Sequence, residues 1–521
     1  RNLIIGTWKA TAAAVSVGDV SRGITRQITG VAAGTQDTDA VNVAQLKTAK
    51  THYYSVNDKG YHVGNYNNDG AKGGMALAAG AGAAANGTAS TVTGAFSRVD
   101  GDGVNGFTKG FQGATSSVYG TFNVVGAKNG VDFDGVANSI VGVANKTENA
   151  NAALIFGAGN KVTNSYRPVN AFTAAPLANA LQTAIQQGNT DEMIEALGAL
   201  VKDSGGAVLA IGGANMADYA QLSKLVGVGN KLTGTENKLS AYNMIDGYLN
   251  TGKNINHVSV IGSENEVENT DDALVFGNKR KLTGATGSII LGSGDRTITT
   301  NVSDAVSIGH NANVEKAGGV ALGSWSVANT DRGVAGYDPA AGDHANDTTG
   351  TWKATAAAVS VGKAADPTGA AGSSAITRQI TNVAAGTQDT DAVNVAQLKA
   401  VQTAADASKV HFFSVKGNSS DENYNNDGAT GDRALAVGVA AKAGGLKATA
   451  LTGGNASGDF SFAVGNNAQA KGWGSVAIGA GTLAEKQGTV AIGHGAKAYS
   501  LESVALGYNT QAGAPSGQPG A

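Results

Sequence analysis

The chain of 521 residues has no cysteine, only six prolines and few charged side chains. The absence of cysteine excludes disulfides, thiolate metal sites and thiol nucleophiles. Charged residues are 15% of the chain, against roughly 25% in ordinary globular proteins. With a formal charge of −3, the chain has no basic field that would attract nucleic acid or anionic lipid. We therefore expect neither thiol chemistry nor a nucleic-acid partner.

Long apolar runs are also missing, and none approaches the ~18 residues of a membrane-spanning helix. The chain opens at Arg1 without a charged and then apolar leader. Glycine, in contrast, accounts for 76 residues, about twice its ordinary share. Hydrophobic residues make up 42% and the net charge is small, so the composition indicates a folded chain and not a disordered one. Glycine and alanine replace charge, as tightly wound coils require.

A fixed repeat occupies the stretch from Ser461 to Gly513. Each copy contains a short apolar stretch closed by a glycine, and the interval between successive glycines never changes: Gly465, Gly479, Gly493 and Gly507. Val476 and Ile478 alternate with small residues, which is the period of a short strand. Self-similarity at a short fixed period indicates one unit stacked on copies of itself. The repeat therefore predicts a solenoid with two short strands and two turns in each coil.

The pentads, such as Ser475–Gly479, followed by a half-coil of small residues, resemble the YadA-like head of trimeric autotransporter adhesins. The resemblance implies a left-handed parallel β-roll and the association of three chains side by side. We accordingly expect an all-β dominated fold, with left-handed parallel β-roll solenoid heads, neck segments, short coiled-coil pieces and a helical insertion, assembled as a homotrimer. The resemblance also implies that an export signal and a membrane anchor lie outside this sequence.

A second pattern is a long duplication. Residues 7–18 recur unchanged at 351–362, and residues 24–47 recur at 376–399 with one difference, Gly30 against Asn382. The duplicated block resembles the neck of the same adhesin family, in which the chain crosses to a neighbouring chain and narrows into a coiled coil. The resemblance assigns structural roles in the neck to Arg26, Asp37, Asp39, Asn42, Arg378, Asp389, Asp391 and Asn394.

Helix signals follow each neck. The acidic segments 37–39 and 389–391 offer N-cap residues and negative charge for a helix start. Leu398, Val401, Ala405 and Ser408 then lie at 3-4-3 spacing. This pattern predicts a coiled coil of about a heptad and a half, which is too short to trimerise alone.

The middle of the chain, residues 138–325, repeats less regularly, with glycines at a similar but varying spacing beside apolar strands such as 153–156 and 258–261. Helical periodicity interrupts it from Pro176 to Val201, with a break at 188–189 and a new helix start at Thr190, and a second short helix is expected around Leu239 to Leu249. Insertions into solenoids often form the binding face. The insertion from Phe172 to Ser204 is therefore a candidate contact surface, and the alternative is a structural decoration.

These patterns predict six segments: the end of a head coil plus neck at 1–50, a small β-rich head segment at 51–137, an irregular head at 138–350 with insertions at about 170–206 and 236–254, a duplicated neck with a short helix at 351–410, a regular head at 411–513, and a Pro/Gly-rich tail at 514–521.

Motifs that would support catalysis or metal binding are weak. Gly479–Ala484 has the spacing of a dinucleotide loop and Gly247–Lys253 that of a phosphate loop, but the first lies inside the repeat and the second lacks its Ser or Thr. Asp100–Gly103 begins like a calcium loop without its closing acid. The seven histidines are scattered, with no two at metal-ligand spacing. Glu264 and Glu266 are interpreted as part of a solvated strand edge. Trp8 and Trp352, at equivalent positions of the duplication, are expected to pack at the neck entrance. We expect no enzyme activity, no cofactor and no metal site.

The leading function is that of an adhesin passenger displayed on a bacterial cell surface, anchored in the outer membrane by a segment outside this sequence. Such a protein would attach to host extracellular matrix, host cell receptors or other bacteria. One alternative is a β-solenoid enzyme that processes polysaccharide, which would need charged residues clustered on successive coils. Others are a purely structural surface fibre and an ice-binding solenoid, which would show a Thr-x-Thr ladder.

Overall fold

The computed structural model describes residues 9–49, 55–101, 111–127, 133–167, 342–365, 374–407 and 414–515, together with 176–340 apart from 177–178, 181–182 and 185. The chain forms two compact units. The first comprises Arg1–Val383 and Thr387–Asp391, and the second comprises Ala384–Gly386 and Ala392–Ala521.

Two long parallel sheets, A and B, make up the first unit. Sheet A contains Leu77–Ala79, Thr91–Thr93, Ser117–Thr121, Ser139–Val143, Leu154–Ala158, Leu209–Gly213, Lys224–Val228, Met244–Tyr248, Ser259–Ser263, Leu274–Phe276, Ile289–Leu291, Val306–Ile308, Val320–Leu322 and Val359–Ser360. Sheet B contains Ala84–Ala85, Arg98–Val99, Val124–Gly126, Lys146–Ala150, Lys161–Ser165, Met216–Asp218, Lys231–Thr233, Thr251–Lys253, Glu266–Glu268, Arg280–Thr283 and Ile298–Thr300. Two short parallel pairs accompany them, Ala220–Gln221 with Ser240–Ala241 and Asn313–Val314 with Val327–Ala328.

Successive coils stack in strict register, since each strand pairs in parallel with the strand one coil later in the same sheet. The corner glycines keep this register: Gly142 lies opposite Gly157, and Gly157 opposite Gly212. The helical insertion lies between Gly157 and Gly212 in the sequence. The chain therefore leaves the roll after Ser165 and returns to it with the strand register unchanged. The predicted parallel β-roll is confirmed.

The core of the first unit lies between sheets A and B. The second residue of most strands points inward, as Val118, Ile140 and Ile155 do from sheet A and Val125 and Val162 from sheet B. Because side chains alternate between the two faces of a strand, the neighbours of these residues point outward. Valine, isoleucine and leucine fill most of this core.

The second unit is a smaller roll of sheets C and D. Sheet C contains Leu435–Val437, Thr449–Leu451, Phe462–Val464, Val476–Ile478, Val490–Ile492 and Val504–Leu506. Sheet D contains Lys442–Ala443, Asn455–Ala456, Gln469–Ala470, Leu483–Ala484, Lys497–Ala498 and Gln511–Ala512. Every fully buried apolar residue of its core cluster is alanine, including Ala477 and Ala484. Such small side chains bring the two sheets close together, and the larger Val476 and Ile478 point outward.

A glycine follows five of the six strands of sheet C and makes the turn there, whereas Thr452 follows Thr449–Leu451. Gly465 and Gly479 have φ of 119° and 120°, a backbone region almost closed to residues with a Cβ. A Cβ on Gly465 would lie 2.8 Å from the carbonyl carbon of Gly479 in the next coil. The predicted turn role of Gly465, Gly479, Gly493 and Gly507 matches this geometry, since all four have φ between 119° and 123°.

The described residues also contain α-helices Val43–Thr48, Thr190–Ser204 and Val395–Ala407 and 3-10 turns Val20–Arg22 and Asn65–Asn67. Helix Thr190–Ser204 starts where the sequence predicts, and parts of 176–187 are helical as well. The helix expected around Leu239 to Leu249 is wrong. Met244–Tyr248 is a strand of sheet A, in register with Ser259–Ser263. Alternate burial in the stacked coil outweighs the helical spacing of the leucines.

A ladder of buried asparagines runs along one corner of the first roll, three residues after each corner glycine. Its members are Asn123, Asn145, Asn160, Asn215, Asn230, Asn250 and Asn265. Each Oδ1 from Asn123 to Asn250 accepts hydrogen bonds from the backbone N–H and the Nδ2 of the next member, as Asn230 does from Asn250 at 3.1 and 2.9 Å. Each Nδ2 also donates to a glycine carbonyl, for example from Asn230 to Gly247 at 2.8 Å. The ladder thus satisfies backbone groups that the corner would otherwise bury unpaired.

Arg280 occupies the next ladder position, and its side chain is fully buried. Its backbone N–H donates to Asn265 Oδ1, and its guanidinium donates to the carbonyls of Gly292, Ala312 and Gly309 at 2.6, 2.7 and 3.2 Å. Burial lowers the pKa of the guanidinium to about 10. Arg280 therefore continues the ladder across the irregular coils that follow it.

Candidate assembly and binding surfaces

The outward face of sheet A is apolar. Its central row runs through paired residues of eleven successive strands: Tyr119, Val141, Phe156, Ile211, Val226, Asp246, Ile261, Phe276, Leu291, Ile308 and Leu322. Only Asp246 is charged. Phe276 and Tyr119 keep 54% and 48% of their surface exposed. Strands that are apolar on both faces are typical of sheets covered on both sides.

Sheet B has the opposite character, because its outward face is polar. Lys281 pairs with Glu266 at 2.9 Å and Lys253 with Glu268 at 2.6 Å, each across one coil. The expectation that Glu266 lies on a solvated strand agrees with this position. Exposed ion pairs of this kind contribute little stability, but they keep sheet B soluble and discourage association through it.

The same asymmetry occurs in the second unit. Outward residues of sheet C form two rows of mainly apolar side chains: Leu435, Thr449, Phe462, Val476, Val490 and Val504, and Val437, Leu451, Val464, Ile478, Ile492 and Leu506. The outward row of sheet D is mostly polar: Lys442, Asn455, Gln469, Leu483, Lys497 and Gln511. Large continuous apolar patches on a soluble protein mark interaction surfaces. Each roll therefore has one mainly apolar outward face and one mainly polar outward face.

The two necks are built from the same local contacts. Asp39 Oδ2 accepts hydrogen bonds from the backbone N–H groups of Thr35 and Gln36 at 2.8 and 2.9 Å. Asp391 does the same for its neck, with 2.9 Å to both Thr387 and Gln388. These bonds lower the pKa of both carboxyl groups, because they favour the ionised form.

The helix caps lie elsewhere than the sequence predicts. Asp37 to Asp39 do not cap the helix. Asn42 is the N-cap of Val43–Thr48, and it forms a capping box with Gln45. Asn394 accepts from the Gln397 N–H at 3.0 Å in the second neck. Asp39 and Asp391 instead accept hydrogen bonds from backbone N–H groups of the preceding turn, because those groups lie closer to them. Asp37 and Asp389 lie exposed.

Two arginines fasten the necks. Arg26 donates to the carbonyl of Val17 at 2.8 Å. Arg378 donates to the carbonyls of Val361 and Ser324 and to the Ser326 hydroxyl. Arg378 thus ties its neck to the last coil of the first roll.

The apolar side chains of both neck helices are uncovered. Neither helix has a buried residue, and Leu46, Leu398 and Val401 are each about two thirds exposed. Ser408 lies outside the described residues. Helices of this length do not persist in water on propensity alone. Within the described part of the chain, nothing covers their apolar stripes.

The helical insertion packs on the first roll through a small aromatic cluster. Met193 and Ala196 of helix Thr190–Ser204 contact a group that includes Phe111 and Phe133, whose rings stack 5.0 Å apart. Asn189 caps the helix by accepting from the Glu192 N–H. Ile194 stays 64% exposed on the outer side. Most of 168–185, including Phe172, lies outside the described residues.

His344 lies between two carboxylates just before the second neck. Its Nδ1 is 2.8 Å from Asp347 and its Nε2 is 3.1 Å from Asp338, and its ring stacks on Trp352 at 4.4 Å. The Asp338 hydrogen bond, reinforced by Asp347, raises the pKa of His344. Trp352 therefore packs within this loop. Trp8 lies outside the described residues.

The motifs that resemble ligand loops are structural. Gly479–Ala484 is a turn between strands of sheets C and D, and Gly247–Lys253 joins strands of sheets A and B. Asp100 pairs with Arg98 at 3.0 Å. Over the described ranges, no three His, Asp or Glu side chains come together as metal ligands would, and no helix there is long and apolar enough to span a bilayer.

The fold, the apolar outward faces and the paired necks define a class of protein that sequence comparison also indicates. Residues 27–69 and 379–421 match the family described as the coiled stalk of trimeric autotransporter adhesin. Residues 303–326, 429–451, 456–482 and 484–510 match the YadA head domain repeat. The resemblance drawn from the sequence is confirmed: these segments of the chain are similar to the head and stalk modules of trimeric autotransporter adhesins.

Particular relatives agree with this class. The chain is 51% identical over 83 residues, 16% of its length, to autotransporter adhesin BadA of Bartonella henselae, and 79% identical over 34 residues, 6% of its length, to trimeric autotransporter adhesin AtaA of an Acinetobacter species. It is 66% identical over 35 residues, 7% of its length, to an uncharacterized protein of Haemophilus influenzae. These matches span 2%, 1% and 48% of the three relatives.

Proposed function

We propose that this chain is part of the passenger of a bacterial surface adhesin, which assembles as a homotrimer and attaches cells to host surfaces, extracellular matrix or other bacteria. The observation that carries the proposal is the sidedness of both rolls. Sheets A and C have apolar outward faces over successive coils, whereas sheets B and D have polar ones. Outer-membrane anchoring through a segment outside this chain, and left-handed winding of the rolls, belong to the same proposal.

Self-association explains three features with one interaction. It covers the outward rows of sheets A and C, and it gives the uncovered stripes of both neck helices partners. Burying one isoleucine or phenylalanine side chain stabilises by about 1.5–3 kcal/mol. A row of such residues repeated on every coil therefore gives ample driving force for assembly, even after the entropic cost of association.

Attachment then follows from multivalency. Three copies of each surface site, held on one stiff support, raise the apparent affinity well above that of a single site. The helical insertion at Phe172 to Ser204 is proposed as one contact surface, because its packing against the roll through Ala196 leaves Ile194 on the outside. Catalysis has no part in this proposal.

The experiment measures the solution mass of the chain by light scattering. A trimer has three times the 51.6 kDa mass of one chain. Ile478→Asp with Ile492→Asp places charge on the outward row of sheet C without touching the alanine core. Asn455→Asp with Gln469→Asp makes the same change of charge on the outward row of sheet D, across adjacent coils, and serves as the matched control. We expect the sheet C variant to weaken the trimer and the control to leave it intact.

A wild-type chain with the mass of a single copy, or equal behaviour of the two variants, would contradict the assignment of these faces. Attachment is measured separately, by the binding of chain-coated beads to host-matrix proteins and to bacterial cells. Beads that bind no better than uncoated ones would remove the adhesin role while leaving the trimer in place.

A further inference from the structure

The first roll has an open groove where its coils change length. Sheet B ends at Ile298–Thr300, and the next strand on that side, Asn313–Val314, pairs only with Val327–Ala328. The coil from Gly292 to Gly309 is longer than the following one, from Gly309 to Gly323. Thr300 Oγ1 donates to Asn313 Oδ1 at 3.1 Å across the gap. The groove measures about 520 Å³ and is lined by both strand edges.

Trp325 forms one wall of the groove. It is the second residue after a corner glycine, and its φ is +64°. Phe122, Leu249 and Ala144 occupy this position in other coils, with φ of 59°, 52° and 56°. The positive φ therefore belongs to the recurring turn, and this coil differs in placing a large aromatic side chain beside the groove. The Trp325 ring remains 40% exposed.

The ring is also held in place. The His310 ring lies edge-on to it, with centroids 6.2 Å apart, and Lys363 Nζ lies 5.2 Å from the ring centroid. Asp295 in turn fixes His310, with 3.0 Å between its Oδ1 and the imidazole Nε2. Trp325 is therefore a rigid aromatic surface and needs little ordering when a ligand binds.

Two ionisable side chains beside this surface have hydrogen-bonding capacity to spare. Arg296 and Glu315 line the groove, and within the described part of the chain neither side chain has a hydrogen bond or an ion pair. Lys363, the other cation on the groove wall, already has a partner of its own. Planar guanidinium and carboxylate groups form paired hydrogen bonds with neighbouring hydroxyls and with carboxylates.

We infer that this groove binds a saccharide that carries a carboxylate. The apolar face of a pyranose ring stacks on Trp325, its hydroxyls bond to Glu315 and Asn313, and its carboxylate meets Arg296. The ligand must present both a flat apolar face and a negative charge, because the groove offers an aromatic ring beside an unpartnered guanidinium.

The position of the groove suits binding by an assembled protein. Strand Ile298–Thr300 belongs to sheet B, whose outward face is polar, whereas the proposed association face is that of sheet A. This inference rests on the proposed adhesin function only for its biological use, since sugar binding by the purified chain is a separate measurement from trimer mass or attachment to surfaces.

The test is calorimetric titration of the intact chain with sialyllactose and with a hyaluronan tetrasaccharide, using lactose as the neutral counterpart of the first. The variants are Trp325→Ala and Arg296→Gln. Alanine already occupies the same corner at 144 and 214, so the first variant should fold. Trp473→Ala, at an exposed tryptophan of the second roll, and Arg433→Gln are the matched controls.

We expect at least one acidic sugar to bind, at least tenfold weaker binding of it by both groove variants, and no change with the controls. We also expect lactose to bind at least tenfold more weakly than sialyllactose if the latter is a ligand. Binding of neither acidic sugar, equal binding of lactose and sialyllactose, or equal loss in the Trp473 control would overturn the inference. So would displacement of the sugar by an acidic peptide at equal concentration.

Discussion

The asparagine ladder gives a sharp test of what holds the first roll together, and Asn230→Ala is the perturbation of choice. The Asn230 side chain accepts from the Asn250 backbone N–H and Nδ2 and donates to Asn215 Oδ1 and to the carbonyls of Val226 and Gly247. Alanine removes all of these bonds. Asn215 Oδ1 keeps its bond from the backbone N–H of residue 230, which the substitution leaves in place.

The buried Asn250 N–H is left without its acceptor, and the carbonyls of Val226 and Gly247 each lose one donor. An unsatisfied buried group costs about 1–3 kcal/mol, so the substitution should lower the free energy of unfolding by at least that amount. Coils couple mainly to their neighbours, so the loss should be greatest in the coils next to residue 230.

The matched control is Asn237→Ala, an exposed asparagine in the turn of the same coil. Guanidinium denaturation followed by circular dichroism, at one protein concentration, gives the free energy of unfolding, and hydrogen exchange by mass spectrometry gives its location. We expect the control to change stability by less than about 0.5 kcal/mol. Equal effects of the two substitutions, or exchange that rises uniformly along the roll, would refute the argument.

Three further predictions concern other parts of the chain. Ala477→Leu should destabilise the second roll by at least about 1–3 kcal/mol in denaturant melts, because its alanine core has no room for a larger side chain; Val476→Leu, on the outward face, should not. Replacing 168–204 with a short turn should preserve the trimer mass, since the flanking strands are in register without it, but should reduce attachment of chain-coated beads; unchanged attachment would make the insertion a decoration. The pKa of His344 is raised in the folded state by its two aspartates, so its contribution to loop stability should be complete below about pH 6.5 and be lost as pH rises through the folded-state pKa. Its NMR titration should show that raised pKa, and a midpoint at or below the ordinary value would contradict the contacts.

Sequence periodicity predicted the roll because every coil needs the same pattern of inward residues, outward residues and a turn. A small inward residue, a larger outward one and a glycine with positive φ recur at a constant interval, so the strands of sheets C and D could be assigned from Gly465, Gly479 and their repeats. The helix start at Thr190 was readable for the same reason, since capping and the first turn depend on local contacts.

Other features needed distances that no single stretch of sequence contains. The ladder joins residues far apart in the chain, such as Asn160 and Asn215 on either side of the insertion, although a recurring asparagine three residues after each corner glycine could have signalled it. The expected helix near Leu239 failed because the register with neighbouring coils, and not the local spacing, decides that segment. Asn42, and not Asp39, caps the neck helix, because backbone geometry determines which N–H groups are within reach.

The sequence by itself determined the winding of the chain into stacked coils, the duplication of the necks and the family they resemble, because these follow from short-range pattern. Only the tertiary structure decided which face of each sheet is apolar on the outside and where the coils separate to expose Trp325. It also showed that Arg280 continues the asparagine ladder. All three features depend on the register between coils and on which surfaces stay exposed once the coils have stacked.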